Sequence, residues 1–278
     1  MNPGIYPNMP EPEYRAAPGL NFSRLKLLAH SPAAFRFRQV HDTEAMKIGR
    51  LAHCALLEPA RFARDYIVAD GPINKITGRP YGSDTKAFAA WEAEQGKPVV
   101  PTALEAVFAA MRESIAADTE AAGLLAKGDA ETAIFWIDPD TGLLLKSRID
   151  WISGLALADL KTTVDGTSPA FCRAAEKMYY HVQAAMQIDG LKVITGKTYG
   201  PYHLIAVEKT EPYVCQTYHY GRGAIACGRA RYAGWLAQYK DCEASGIWPG
   251  GSGTSKKMKL SDRAYTGISI EPEYEEEW

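Results

Sequence analysis

The sequence predicts an α/β fold in which a central mixed β-sheet is flanked by helices, and three observations lead there. Residues 21–125 carry apolar positions at helical spacing, while the texture after Gly128 turns to short runs rich in β-branched and aromatic residues. A helical stretch at 168–191 then separates that meander from two further strand-like runs. A meander followed by a helix that crosses to more strands is the signature of one layered α/β domain.

Each element has a local reason. Residues 1–20 are rich in proline and polar groups and read as an extended arm. Asn21-Phe22-Ser23 opens a helix with Leu25, Leu27, Leu28 and Phe35 as its buried side, interrupted at Ser31-Pro32. Thr43 to Phe62 reads as a helix, with Pro59 near its end. Gly71 to Ser83 is loop-like, and two amphipathic helices follow at Asp84–Gln95 and Pro101–Leu125, the second opened by proline in its first turn. Thr132 to Asp138 and Leu143 to Ile152 form a hairpin around Pro-Asp-Thr-Gly, and Leu155 to Thr162 is a third strand. After the helix at Ser168–Leu191 and a break at Gly196, Tyr202–Lys209 and Tyr213–Tyr220 read as strands, and Ala224–Ser245 as a last helix. Gly246 to Ser255 is a glycine-rich exit. The division is an arm at 1–20, one domain at 21–250 and an acidic tail at 251–278.

With 278 residues, 46% hydrophobic and 23% charged, the chain is long enough to bury a core. No run approaches the roughly 18 apolar residues of a membrane span, and the first residues lack a secretory pattern. Five scattered cysteines without a CxxC pair argue for a reducing compartment, and against a zinc or iron–sulfur site. A cytoplasmic location is expected. The net charge of −2 hides an uneven distribution. The last eight residues carry five glutamates, and without them the balance is +3. Between Asn21 and Arg50 stand Arg24, Lys26, Arg36, Arg38, Lys47 and Arg50 against only Asp42 and Glu44, a basic surface suited to nucleic acid.

The chemistry concentrates in Arg148-Ile149-Asp150 and Asp159-Leu160-Lys161. Side chains alternate along a strand, so Asp159 and Lys161 share a face and Leu160 takes the other. Ser153-Gly154 supplies the turn, and antiparallel pairing then brings Asp150 close to Asp159. Two acids at that range repel unless a cation lies between them. A hard divalent ion with oxygen ligands, Mg²⁺ or Mn²⁺, fits, and the neighbouring Lys161 can hold or polarise a water for attack on phosphorus. His53, one helical turn after Gly49, offers an imidazole to complete the metal shell, and that glycine leaves room for close approach. In Tyr179-Tyr180-His181-Val182-Gln183, Gln183 is placed to position a phosphate or Lys161.

In that order, His53, Asp150, Asp159-Leu160-Lys161 and Gln183 resemble the PD-(D/E)xK nuclease superfamily, and more narrowly the RecE-type exonuclease VIII group of phage and prophage recombination nucleases. The likeness spans roughly residues 20–250. It includes Ser31-Pro-Ala-Ala-Phe35, Gly49-Arg-Leu-Ala-His53, Ala158-Asp-Leu-Lys-Thr-Thr163, Tyr180-His-Val-Gln183 and Trp248-Pro249. It implies a restriction-endonuclease-like core with His53, Asp150, Asp159 and the Leu160 carbonyl as metal ligands. Lys161 would orient the attacking water and Gln183 would assist it. Where the family's helix reads Gln-x-x-x-Tyr, this chain has Gln187, and Tyr180 is the aromatic nearest at hand.

The resemblance further implies Mg²⁺-dependent digestion of linear duplex DNA from 5′ ends by a ring-shaped homo-oligomer, a trimer or tetramer. A single-strand annealing protein would be its partner and a phage or prophage its source. Ser23, Arg24 and Lys26, with Arg50 and Tyr180, are the candidates for holding DNA and its 5′ phosphate. A structure-specific endonuclease of the same fold and a non-catalytic DNA-end scaffold are the alternatives; the presence of both acids and the lysine favours an enzyme. The acidic tail is expected to dock on a partner or to shield the DNA channel.

Overall fold

The computed structural model describes residues 1–39 and 41–251; residues 252–278, which hold the end of the glycine-rich exit and all but the first residue of the acidic tail, lie outside them. Residues Gly4–Tyr6 form strand β1 and Glu11–Ala16 helix α1, so the first twenty residues are not the free arm their composition suggests. The reason is a neighbour in space. Ala133 and Phe135 need cover, and Tyr6 and Tyr14 pack edge-on against Phe135 at 5.4 and 6.1 Å. Lys146, itself buried, donates to the carbonyls of Tyr14, Arg15 and Ala17 and so caps the end of α1.

The helices begin where short polar side chains can hold the free N–H groups. Asn21 caps α2 (Phe22–Leu25), Ser31 caps α3 (Pro32–Phe37) and Thr43 caps α4 (Glu44–Leu57). Pro59 cannot continue α4 and instead opens α5 (Pro59–Asp65), so the single helix expected at 43–62 is two. A two-residue strand β2 (Ile67–Val68) pairs in parallel with β3 (Val99–Val100) across α6 (Lys86–Gln95), a small sheet with no sequence signal of its own. The expected helix at 101–125 is also two, α7 (Thr102–Ala117) and α8 (Thr119–Leu125), because Asp118 leaves helical geometry to cap the second.

Then come β4 (Asp129–Ile137), β5 (Leu144–Ser153) and β6 (Ala156–Thr163), the meander the alternation predicts. The stretch at 168–191 divides into α9 (Ser168–Lys177) and α10 (Tyr180–Thr195), because Tyr179 adopts a left-handed conformation at φ 60°. Strands β7 (Tyr202–Glu208) and β8 (Cys215–His219) and helix α11 (Arg222–Ser245) complete the order.

The main sheet runs β1-β4-β5-β6-β7-β8. All neighbours are antiparallel except β6 and β7, which the crossover through α9 and α10 makes parallel. One face packs on α2, α9, α10 and α11 through Leu145, Ile149, Leu157 and Met186. The other packs on α4, α5, α7 and α8 through Ala55, Phe108, Ala158 and Leu160.

Gly228 sets how closely α11 approaches α10. A Cβ there would lie 2.2 Å from the His181 carbonyl oxygen and 3.1 Å from the Val182 Cα, both backbone atoms. Gly228→Ala is therefore expected to lower stability by about 3 kcal/mol, the upper end of overpacking costs. A denaturant titration showing an unchanged midpoint would count against this tight crossing. Among the described residues, no helix is long and apolar enough to cross a membrane.

Candidate active site

The site grows from the end of the β5–β6 pairing. Trp151 faces Ala158 and Ile152 faces Leu157, so one further step of that register sets Asp150 opposite Asp159. There the strands part. The Asp150 carboxylate enters the gap and its Oδ2 accepts the Leu160 N–H at 2.9 Å. The expected nearness of the two acids thus has a specific cause: a carboxylate takes the place of a ladder carbonyl.

Asp159 is almost fully buried, on the α10 face of β6 with Lys161. Lys161 Nζ lies 2.5 Å from Asp159 Oδ2, an oxygen with no other partner, and Gln183 Nε2 donates to Asp159 Oδ1 at 3.2 Å. The ammonium also sits over the Tyr180 ring at 4.3 Å. Leu160 points to the opposite core, as alternation requires.

Helix α4 brings His53 over the strand ends, with its Nδ1 3.4 Å from Asp150 Oδ2 and 3.7 Å from Glu131 Oε1. His53, Glu131 and Asp150 offer ligand atoms within 4.8 Å of one another, the one such group among the described residues. Glu131 is a site residue the sequence reading missed. It stands just outside the apolar run that marked the strand, and its φ of 48° is a left-handed value uncommon for a residue with a side chain. Arg148 Nε donates to Glu131 Oε2 at 2.6 Å, while the buried Arg148 Nη1 has no partner.

Electrostatics show how unbalanced this cluster is. Burial, and then the charge of Asp159, push the Asp150 carboxyl up to about 8. For His53 burial works downward, but Asp150 and Glu131 outweigh it and raise the imidazole to about 9. Glu131 is lowered despite its burial, by His53 and Arg148. Lys161 is raised, because Asp159, Asp150 and Tyr180 outweigh its desolvation, so it stays an ammonium at neutral pH. Asp150, holding a proton for want of a nearer cation, together with the His53 imidazole and the Glu131 carboxylate matches the donor set of a hard divalent ion. Glu131→Gln is expected to weaken Mn²⁺ binding by about 10–100-fold in calorimetry, the usual cost of disturbing a ligand or its support. Unchanged affinity would remove Glu131 from the site.

A cavity of about 770 Å³ opens over these groups, lined by His53, Asp150, Lys161 and Tyr180. Arg15, Lys47, Arg50 and Arg61 stand on its walls, and α1 contributes Glu11. At Gly49 a Cβ would meet nothing within 4 Å, so this turn of α4 leaves the approach open, as the spacing suggested.

The expected DNA contacts are placed unevenly. Arg50 lines the cavity but holds Asp42 through both terminal nitrogens, at 3.1 and 2.8 Å. Lys26 lies near enough to Lys161 that, after burial, the second ammonium lowers it further. Arg24 is turned away, donating to the Phe35 and Arg38 carbonyls at the end of α3. Ser23 is exposed on α2. Gln187, standing where a tyrosine was expected, is buried. It donates to Ser147 Oγ and the Arg148 carbonyl and accepts from the Tyr202 hydroxyl.

A family model described as a PDDEXK-like domain of unknown function (DUF3799) matches residues 21–261. No curated protein matches the chain. Among solved structures, one from Eubacterium rectale described as a "putative exonuclease" is similar with a TM-score of 0.60. That likeness covers 94% of this chain and 99% of the other at 12% sequence identity, and so carries the fold alone.

Proposed function

The chain belongs to the PDDEXK-like domain family, and on that premise we propose that it is a divalent-metal-dependent exonuclease acting on linear duplex DNA from 5′ ends, leaving 3′ single-stranded overhangs. Its mixed sheet with flanking helices is the nuclease core of the PD-(D/E)xK type, and a nuclease-type enzyme is the coarse reading. The observation that supports metal-dependent phosphodiester hydrolysis is the grouping of His53, Glu131 and Asp150, with Asp159 and Lys161 beside them, at a cavity walled by arginines and lysines; the 5′ polarity rests on the family resemblance alone.

In this reading residues 21–250 are the catalytic domain. Asp150, Asp159, His53, Glu131 and the Leu160 carbonyl would hold Mg²⁺ or Mn²⁺. When bound, the ion supplies Lewis-acid charge neutralisation at the phosphoryl oxygens. Lys161, kept protonated by its acidic neighbours, donates to the attacking water and fixes its direction rather than taking its proton. Gln183 holds Asp159, and through it the lysine. Tyr180 limits the ammonium to one side. Lys47, and Arg61 once Glu58 and Asp65 release it, face the phosphate backbone, giving contacts that position a strand without reading its bases, while Arg148 stays on Glu131. Arg50 is available to DNA if Asp42 releases it, and Lys26 with Ser23 remains the candidate pair for the terminal phosphate.

Family resemblance alone supports a ring-shaped trimer or tetramer threaded by DNA, transfer of the overhang to an annealing protein, and a phage or prophage source acting in the cytoplasm. The test is digestion of linear duplex DNA with one end-labelled strand, with Mg²⁺ or EDTA. Metal-dependent loss of nucleotides from 5′ ends is expected. Cutting of closed circles would make the protein an endonuclease, and DNA binding without cleavage would make it a scaffold.

A further inference from the structure

A second cavity, about 830 Å³, opens between α9, the start of α10, β8 and α11. Nothing in the proposed hydrolysis uses it. Its wall is aromatic: the His181 ring lies between those of Tyr179 and Tyr220, at 6.2 and 6.4 Å, and Tyr218 stacks on Phe171 at 5.0 Å. Its rim is basic. Arg173 and Lys177 come from α9 and Arg231 from α11, all exposed, while Glu176 is the one acid on the lining among the described residues. The Tyr220 hydroxyl is buried without a hydrogen-bond partner among the described residues.

We propose that this cavity binds unpaired nucleotides of the DNA strand next to the catalytic centre, with bases against the tyrosine and histidine rings and phosphates at Arg173, Lys177 and Arg231. The proposal rests on the nuclease reading of the neighbouring site. Aromatic rings accept any base by its π-face and rim cations track the backbone, the combination that single-strand binding requires. An apolar peptide would leave three cations unpaired, and a base still stacked in a duplex has no free π-face for these rings. The volume falls within the roughly 300–1,000 Å³ of small-molecule sites, enough for a nucleotide.

The two sites adjoin through one dipeptide. Tyr179 packs edge-on to Trp235 at 5.5 Å and faces the second cavity, while Tyr180 covers Lys161. The left-handed backbone at Tyr179 sends these consecutive rings to different sites, and such strain persists where the surroundings enforce it. Tyr220 is close enough to Asp159 that, after burial, this carboxylate contributes to raising its phenol.

The test uses the full chain in EDTA, which stops cleavage, and a fluorescent oligothymidylate as probe. Arg173→Ala/Lys177→Ala, two exposed positions, should weaken binding about tenfold and flatten the salt dependence by about 1.4 in slope, at 0.7 per phosphate contact. Irradiation with a 5-iododeoxyuridine oligonucleotide should attach the probe to peptides holding Tyr179, Tyr218 or Tyr220. Unchanged affinity, or cross-links confined to other peptides, would overturn the proposal. A protein that cuts no DNA yet cross-links here would lose the reaction and keep this site. An active nuclease with neither effect would lose this site alone.

Discussion

Lys161→Ala is expected to lower the rate of the proposed DNA cleavage by about 10²–10³-fold or more, the usual loss when one oriented donor is removed from a site that stabilises developing charge. Its ammonium is held by Asp159 at 2.5 Å and lies over the Tyr180 ring. The variant should still fold, because the lysine stem lies at the edge of the cavity and not within either core cluster. It should depend more on metal for stability, since the buried Asp159 then lacks its nearest cation. Single-turnover cleavage at saturating Mn²⁺ measures the effect with metal occupancy held constant. Near wild-type rates would mean that Lys161 serves the ion pair and not the reaction.

Metal should stabilise the protein more as pH rises from about 6.5 to 9. In the metal-free protein both Asp150, raised to about 8, and His53, raised to about 9, bind protons more tightly than in the unfolded chain. Each therefore favours folding at low pH. The Asp150 contribution is lost as pH rises from the carboxylate range through about 8, and the His53 contribution from about 6.5 through 9. A metal needs both groups deprotonated, so its binding releases protons and strengthens over the same window. At a hundredfold excess over Kd the ion adds about 2.7 kcal/mol, a rise of roughly 5–10 °C in Tm for a domain of this size. Asp150→Asn should abolish most of that rise. Thermal scans with and without Mn²⁺ at pH 6.5, 7.5 and 8.5 decide it, and a metal effect that shrinks with pH would contradict the assignment.

Both expectations concern residues legible before any fold was known. Asp150, Asp159 and Lys161 are joined by one tight turn, and strand alternation with antiparallel register leaves them few places to go. His53 required one further step, a helix of known phase with an open turn at Gly49. The central strands and most helices were legible for the same reason, because periodicity and caps act over a few residues. The misplaced boundaries were also local in origin: Pro59, Asp118 and Tyr179 each divide a helix that the hydrophobic pattern alone would continue.

What pattern could not reach was whatever depends on contacts across the chain. The first twenty residues look unstructured by composition, yet Phe135 gives Tyr6 and Tyr14 a surface and Lys146 gives α1 its cap. Arg24 looks like a phosphate ligand until the end of α3 takes its hydrogen bonds. Glu131 reaches His53 through a left-handed backbone that no periodicity signals. Alternation and a short turn are local constraints, and they suffice to locate the acids, the lysine and the strands that carry them. Which cations are paired, which glutamate joins the cluster and where the second cavity opens depend instead on partners brought together from distant parts of the chain.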